Sequence, residues 1–306
     1  RKESSAASDV YKRQLHRRRR HRRARAPLIS FFPDTPQEIH AMLIAQITDL
    51  HMRTPGDKAY GIIDPAAFLG PAVRALNALT PRPDCVLITG DLTDLGKPHE
   101  YQALRDQLQA LEIPYFLLPG NHDDRAELRA AFPDHGYLQG QGPFIQYAVE
   151  TYPLRLLALD TVVPMKSHGE LCADRLGWLA ARLAEQPGRP TLVLMHHPPF
   201  VTGIEHMDAI GLLAGAPELE QIVARYPNVE RVLCGHLHRT IFRRFGGTIA
   251  STCPGTAHQL ALELGERPTL QYIMEPPGYQ LHWWHDDALV THHAVIGEYP
   301  GPYPFA

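Results

Sequence analysis

MLIAQITDLH, residues 42–51, is a short apolar run that breaks at Thr48-Asp49 and ends in Asp49-Leu50-His51. It is too short for a helix and too continuous for a half-exposed strand, which predicts a strand buried on both faces. The same arrangement recurs along the chain. Cys85–Thr89 (CVLIT) leads into GDLTD, and Tyr115–Leu118 (YFLL) leads into PGNHD. Thr191–Met195 leads into HHPP, and Val229–Cys234 leads into GHLH. Helical periodicity separates these runs over Pro65–Leu79, Pro98–Leu111, Arg125–Phe132, Asp174–Leu183 and Pro217–Tyr226. Strands alternating with helices predict α/β layering.

After Phe144 the rhythm changes. Phe144–Val149 and Leu154–Leu159 read as a hairpin pair, Thr240–Leu264 as meandering strands, and Tyr279–Ile296 as a further hairpin. Two successive strand-rich halves predict two sheets packed face to face with helices outside. The expected division is a basic leader at 1–41, a core at 42–265, and a C-terminal hairpin and cap extension at 266–306 packed on that core.

Composition narrows the class. The chain has 306 residues, 44% hydrophobic and 21% charged, an ordinary balance for a well-packed protein. No window approaches the ~18 consecutive apolar residues of a membrane-spanning helix, so no membrane association is expected. Cys85, Cys172, Cys234 and Cys253 are widely spaced, as reduced thiols of a cytoplasmic protein would be. The net charge of −3 hides an asymmetry. Residues 1–41 carry 11 Lys/Arg against 4 Asp/Glu, leaving 19 against 29 beyond them. The leader, with Arg17–Arg20 and RKESSAASDVYKRQ at its start, is expected to be foreign to the natural protein, since Met42 opens directly onto a strand. The acidic remainder argues against long nucleic acid as a partner, because phosphate binding relies on surface Lys and Arg.

The chemistry-bearing residues all follow strands: Asp49 and His51, Asp91, Asn121 with His122 and Asp123, His196-His197, then His236 and His238. Ligands of open α/β sheets bind beyond the carboxyl ends of strands, so five such loops are expected to converge on one crevice. Carboxylate, amide and imidazole donors without thiolate suit Mn, Fe or Zn. In extended backbone alternate residues project to one side, so both members of D-x-H and of H-x-H can reach one cluster. Each motif alone is common; five in one order at strand ends are not.

That order (D-x-H, G-D-x-x-D, G-N-H-D, H-H-P-P, G-H-x-H) resembles the calcineurin-like metallophosphoesterase superfamily, most nearly its class III cyclic-nucleotide phosphodiesterases and bacterial glycerophosphodiesterases. The resemblance extends through Met207–Leu212, Pro254–Gln259 and Glu275–Tyr279. It implies a four-layer α/β/β/α sandwich carrying two divalent metal ions. Asp49, His51 and His238 would hold the first, Asn121, His196 and His236 the second, and Asp91 would bridge them. The resemblance aligns His196 with the ligand and leaves His197 to support it, although the residues alone do not separate the two. Asp94 stands where purple acid phosphatases carry Tyr, which argues against a tyrosinate–ferric centre.

A water activated between the metals would be the nucleophile. His122 is expected to hydrogen-bond the phosphoryl group or protonate the leaving alkoxide, with Asp123 fixing its tautomer. The expected substrates are small phosphodiesters, either 3',5'-cyclic nucleotides or glycerophosphodiesters. A monoesterase, a nucleotide-sugar pyrophosphatase or a non-catalytic metal-binding scaffold are the alternatives. The expected cap combines Thr202–Leu213 with the C-terminal hairpin. That hairpin's Trp283 and Trp284 read as a packing ridge or a homo-oligomer interface, with nucleobase stacking as the alternative, and its histidines (His282, His285, His292, His293) as a cross-strand surface feature rather than a third metal site.

Overall fold

The computed structural model describes residues 41–140, 142–265 and 269–305. The basic leader, apart from Ala41, lies outside the described residues. The first sheet has five strands in the order β15-β14-β1-β2-β3: β1 (Met42–Ile47), β2 (Cys85–Thr89), β3 (Tyr115–Leu118), β14 (Gly278–His285) and β15 (Ala288–Val295). The second has six, β10-β11-β9-β7-β5-β4: β4 (Tyr147–Val149), β5 (Arg155–Ala158), β7 (Thr191–Leu194), β9 (Val229–Cys234), β10 (Phe242–Phe245) and β11 (Thr248–Thr252). Two short pairs, β6 (Gly169–Glu170) with β8 (Leu212–Ala214) and β12 (Gln259–Leu260) with β13 (Tyr272–Ile273), complete the strands. In the second sheet the central pairings are parallel with an antiparallel hairpin at each edge; in the first, β1-β2 and β2-β3 are parallel and the β14-β15 hairpin adds antiparallel to β1.

Alternation along the second sheet sorts its side chains into two cores. Leu156, Ala158, Leu192, Leu194 and Leu233 pack with the first sheet and with helices Pro65–Asn77 and Pro98–Leu108. Their neighbours Leu157, Val193, Val232 and Cys234 pack instead against helices Ala173–Glu185 and Ala216–Ala224. The layers therefore run helix, sheet, sheet, helix, the four-layer α/β/β/α sandwich expected from the motifs. The helices present matching stripes. Pro65–Asn77 buries Leu69, Ala72, Val73 and Leu76, and Ala173–Glu185 buries Leu176, Leu179 and Leu183. Asp64 starts the first of them by accepting a hydrogen bond from the Ala66 N–H, with Pro65 in the first turn.

Polar ties between the sheets lie close to the strand ends. The buried Gln46 amide of β1 donates to Thr89 Oγ1 at 2.9 Å and to the Cys234 carbonyl, in the second sheet, at 3.0 Å. Gln280 of β14 donates to the Thr252 carbonyl at 2.9 Å. All four cysteines are free thiols, and only Cys172 is exposed.

The C-terminal hairpin corrects one expectation. It does not cap the crevice: β14 pairs along β1, Met42 opposite Trp284 through Gln46 opposite Gln280, and so completes the first sheet. Trp284 packs into the main core, while Trp283 is exposed and stacks on His285. His282 is interior rather than a surface feature, its ring between Gln46 Oε1 (3.1 Å) and Thr291 Oγ1 (2.9 Å).

Candidate metal centre

Asp49, His51, Asp91, Asn121, His196, His236 and His238 all lie just beyond the carboxyl ends of β1, β2, β3, β7 and β9. The backbone there is unusual. Asp49, His51, Asp91, His236 and His238 are all left-handed, with φ between 44° and 71°. Such values are rare for residues with side chains and cluster at functional sites. D-x-H and H-x-H thus converge through tightly turned loops, not through the extended backbone expected. Glycines permit the crowding: a Cβ on Gly120 would lie 2.2 Å from Asp91 Oδ1, and one on Gly90 2.4 Å from His196 Nδ1.

The candidate ligand atoms form overlapping groups, each within 4.8 Å: Asp49 with His51 and His238, Asp49 with Asp91 and His196, His51 with Asp91 and His122, and His196 with His197 and His236. Asp91 stands between the halves. Its Oδ2 is 3.3 Å from His196 Nε2 and 3.7 Å from His51 Nε2, and its Oδ1 accepts from the His122 N–H at 2.9 Å. Asn121 Oδ1 lies 3.2 Å from His196 Nε2.

The imidazoles are turned from behind, by the arrangement that fixes a metal-ligating tautomer. His196 Nδ1 is 2.9 Å from the Thr89 carbonyl, His238 Nδ1 is 3.1 Å from the His258 carbonyl, and His51 Nδ1 faces Asp94 Oδ1 at 3.4 Å. In each ring Nε2 is left toward the centre. His197 differs: its two nitrogens face Thr161 Oγ1 at 2.8 Å and the Ser167 carbonyl at 3.2 Å. Within the doublet, then, His196 is the residue aimed into the cluster.

Electrostatics favour a cation here. Burial lifts Asp49 to about 6 despite His196 nearby. Burial alone would raise Asp91 too, but the charge of His196, followed by His122, outweighs it and holds Asp91 well below the usual range. His196 is lifted to about 9, because Asp91's charge and hydrogen bond overcome the burial that would lower it. His236 Nε2 is buried with no hydrogen-bond partner. Unpaired buried nitrogen and clustered carboxylates are costly unless a metal satisfies both, and this nitrogen–oxygen donor set fits borderline divalent ions.

His122 and Asp123 part company. His122 Nδ1 lies 2.7 Å from the Asp94 carbonyl, which makes that nitrogen the donor and leaves Nε2 free. Asp123 makes none of the contacts expected of a partner to His122, which corrects that assignment. It turns inward to accept from the Leu92, Thr93 and Gly120 N–H groups at 2.9, 3.1 and 2.9 Å. The hydroxyls of Thr93 and Tyr101 donate to it as well, so it pins the β2 loop to the β3 loop. Burial, helped by the charge of Asp91, lifts Asp123 to about 6 even so. The residue that orients His122 is Asp94, whose carboxylate also faces His51. Its place in G-D-x-x-D was visible in the sequence, but not its orienting contacts.

A cavity of about 280 Å³ opens beside the cluster. His51, Asp91, Asn121, His122, His236 and His238 line one part; Tyr60, His258 and Tyr272 line another. Sequence reasoning gave these three aromatic groups no role. The Tyr60 and Tyr272 rings stack at 5.1 Å, and the His258 ring sits 4.5 Å from that of His238. Met207 and Ile210 of the expected cap segment do reach the cavity. Leu260, Leu270, Gln271 and Tyr272 line it where the C-terminal hairpin was expected.

Comparisons with known proteins agree with this geometry. Residues 42–240 match the family model described as calcineurin-like phosphoesterase. A protein of Arcobacter nitrofigilis named "Probable glycerophosphodiester phosphodiesterase" is 35% identical over 265 residues, covering 86% of this chain and 97% of that one. One of Synechococcus named "Probable cyclic nucleotide phosphodiesterase" is 36% identical over 262 residues, 80% of this chain and 94% of that one. Among solved structures, a purple acid phosphatase of yellow lupin seeds shares the fold, with a TM-score of 0.60 at 15% identity over 85% of this chain and 52% of that one.

Proposed function

This chain belongs to the calcineurin-like phosphoesterase family, and from that premise we propose that it is a metal-dependent phosphodiesterase acting on small phosphodiesters. The observation that carries the reading is the convergence of seven nitrogen- and oxygen-bearing side chains at the strand ends of two facing sheets, beside an accessible cavity. The relatives named for glycerophosphodiester and cyclic-nucleotide hydrolysis span most of their own length in the match and supply the substrate class.

In our assignment Asp49, His51 and His238 would hold one divalent ion, Asn121, His196 and His236 the other, and Asp91 would serve both. When bound, the two ions acidify water and neutralise charge on the phosphoryl group. His122, whose Nδ1–H is held by the Asp94 carbonyl, presents Nε2 from the cavity wall, and in its doubly protonated form donates Nε2–H to the phosphoryl or leaving oxygen. Asp123 acts only by holding the loops together. Turnover of bis-p-nitrophenyl phosphate is expected to exceed that of the monoester in kcat/KM by at least about tenfold; a monoester preference would reject the diesterase reading.

Four free cysteines support a reducing, cytoplasmic setting. No helix among the described residues is long and apolar enough to cross a membrane. Self-association is assigned to the C-terminal hairpin, whose Trp283 on β14 and Val290 and Val295 on the edge strand β15 are exposed. Light scattering is expected to give a mass above that of one chain; a monomer at micromolar concentration would dismiss it.

A further inference from the structure

We propose, building on the diesterase reading, that Arg239 is a positioning residue. It fixes the ribbon β12–β13 against the metal centre and so sets how tightly the organic group of the diester is held. Arg239 directly follows His238 in the chain. A cation at that point invites a phosphate-binding role, yet Arg239 does not line the cavity. Its guanidinium instead meets the backbone of the cavity wall. Nη1 donates to the Leu260 carbonyl of β12 and, at 2.9 Å, to Glu275 Oε2 just beyond β13. One side chain thus spans both legs of the ribbon. Its own carbonyl accepts from Thr252 Oγ1 of β11, which ties the arginine to the second sheet.

The ribbon needs such a tie. β12 and β13 have two residues each and form a sheet of their own, and so short a pair is marginal in water. Its legs are unequally held. On β12, Leu260 packs with Ile204, Met207 and Leu237, and the Gln259 side chain exchanges hydrogen bonds with the Gly255 backbone at 3.2 and 2.8 Å. On the other leg Tyr272, Ile273 and Met274 are exposed. That leg is held by its pairing to β12, by ring contacts of Tyr272 with Tyr60 and His258, and by the Glu275 carboxylate on Arg239. Leu260, Gln271 and Tyr272 line the cavity. A shift of this leg therefore moves the surface that any ester group beyond the phosphoryl position meets, be it polar or aromatic. Charge-assisted hydrogen bonds to both legs are suited to prevent that shift.

The test compares Arg239→Met, Arg239→Lys and Glu275→Ala in the full chain loaded with manganese, by calorimetric affinity for inorganic phosphate and for phenylphosphonate. Phosphate meets the metal centre alone, whereas the phenyl ring reaches the wall. A half-exposed ion pair adds little to global stability, so the variants should fold and keep their metal. In Arg239→Met, phosphate affinity should stay that of the unmodified protein. Phenylphosphonate should weaken by about twofold to tenfold, the worth of one aromatic contact. Arg239→Lys keeps a cationic donor and should recover part of the loss, and Glu275→Ala should show a smaller one. Turnover of bis-p-nitrophenyl phosphate should repeat the split, with KM raised and kcat held. Hydrogen exchange reads the ribbon without ligand or activity: the Ala261 N–H, bonded to the Gln271 carbonyl at 2.9 Å, should exchange faster in Arg239→Met. Unchanged exchange, or an unchanged phenylphosphonate affinity, would overturn the proposal. Equal loss of both ligands would overturn it too, making Arg239 a support of His238. If Arg239→Met does not fold, Glu275→Ala carries the same test under the same outcomes. Absence of all diester turnover would instead sink the diesterase reading, leaving the exchange and the affinities to decide this one.

Discussion

Asp91→Ala is expected to lower diester turnover by at least about 10³-fold, the equivalent of ~4 kcal/mol of lost transition-state stabilisation. Bound metal should fall below two ions per chain. The reason lies in the position of the carboxylate. It is buried, it faces His196 and His51 with one oxygen, and it fixes the His122 backbone with the other. Among the described residues no other acidic group reaches all three. Its removal takes away the charge that opposes two cations and also frees the loop carrying Asn121 and His122. Asp91→Asn keeps an acceptor for the His122 N–H and is expected to fold better while still losing metal. Elemental analysis beside activity decides the matter: two ions retained in Asp91→Ala would end the bridging assignment.

His122→Ala separates proton handling from metal holding. Metal content should stay at the level of the unmodified protein while kcat falls by ~10²–10⁴. The loss should depend on the leaving group. An alkoxide needs a proton as it departs, whereas p-nitrophenoxide does not, so the defect should be large for alkyl diesters and small for aryl ones. An equal loss on both would make His122 a phosphoryl hydrogen-bond donor and not the acid. Loss of metal would make it a ligand, as its grouping with His51 and Asp91 permits.

Much of this architecture was legible before any coordinates. Continuous apolar runs such as CVLIT marked strands buried on both faces, and the loops after them carried every residue of the cluster. What could not be read was direction. Asp123 follows His122 in sequence, yet turns away to meet four donors from elsewhere in the fold and the Gly120 N–H of its own loop. Asp94, 28 residues earlier, sits against His122 instead. Such choices are made by tertiary packing, for which local pattern holds no signal. The left-handed backbone at Asp49, His51, Asp91, His236 and His238 was hidden for a related reason: it runs against the intrinsic preference of those residues and is imposed by their surroundings. The hairpin at 278–295 was recognised as a hairpin but misplaced, because its partner β1 lies more than two hundred residues away.

That last pairing bears on how the protein is made. Synthesis proceeds from the N-terminus, so β1 emerges early, and its β14-facing edge has no strand to meet until residues 278–295 leave the ribosome. Until those residues are made the first sheet carries an open edge at β1, the kind that recruits other chains. Native pairing here closes a long loop, and completion of the sheet must wait for β14. A ribosome stalled before Gly278 would therefore hold a nascent chain that can assemble neither the finished sheet nor the Gln46–His282 link behind the crevice.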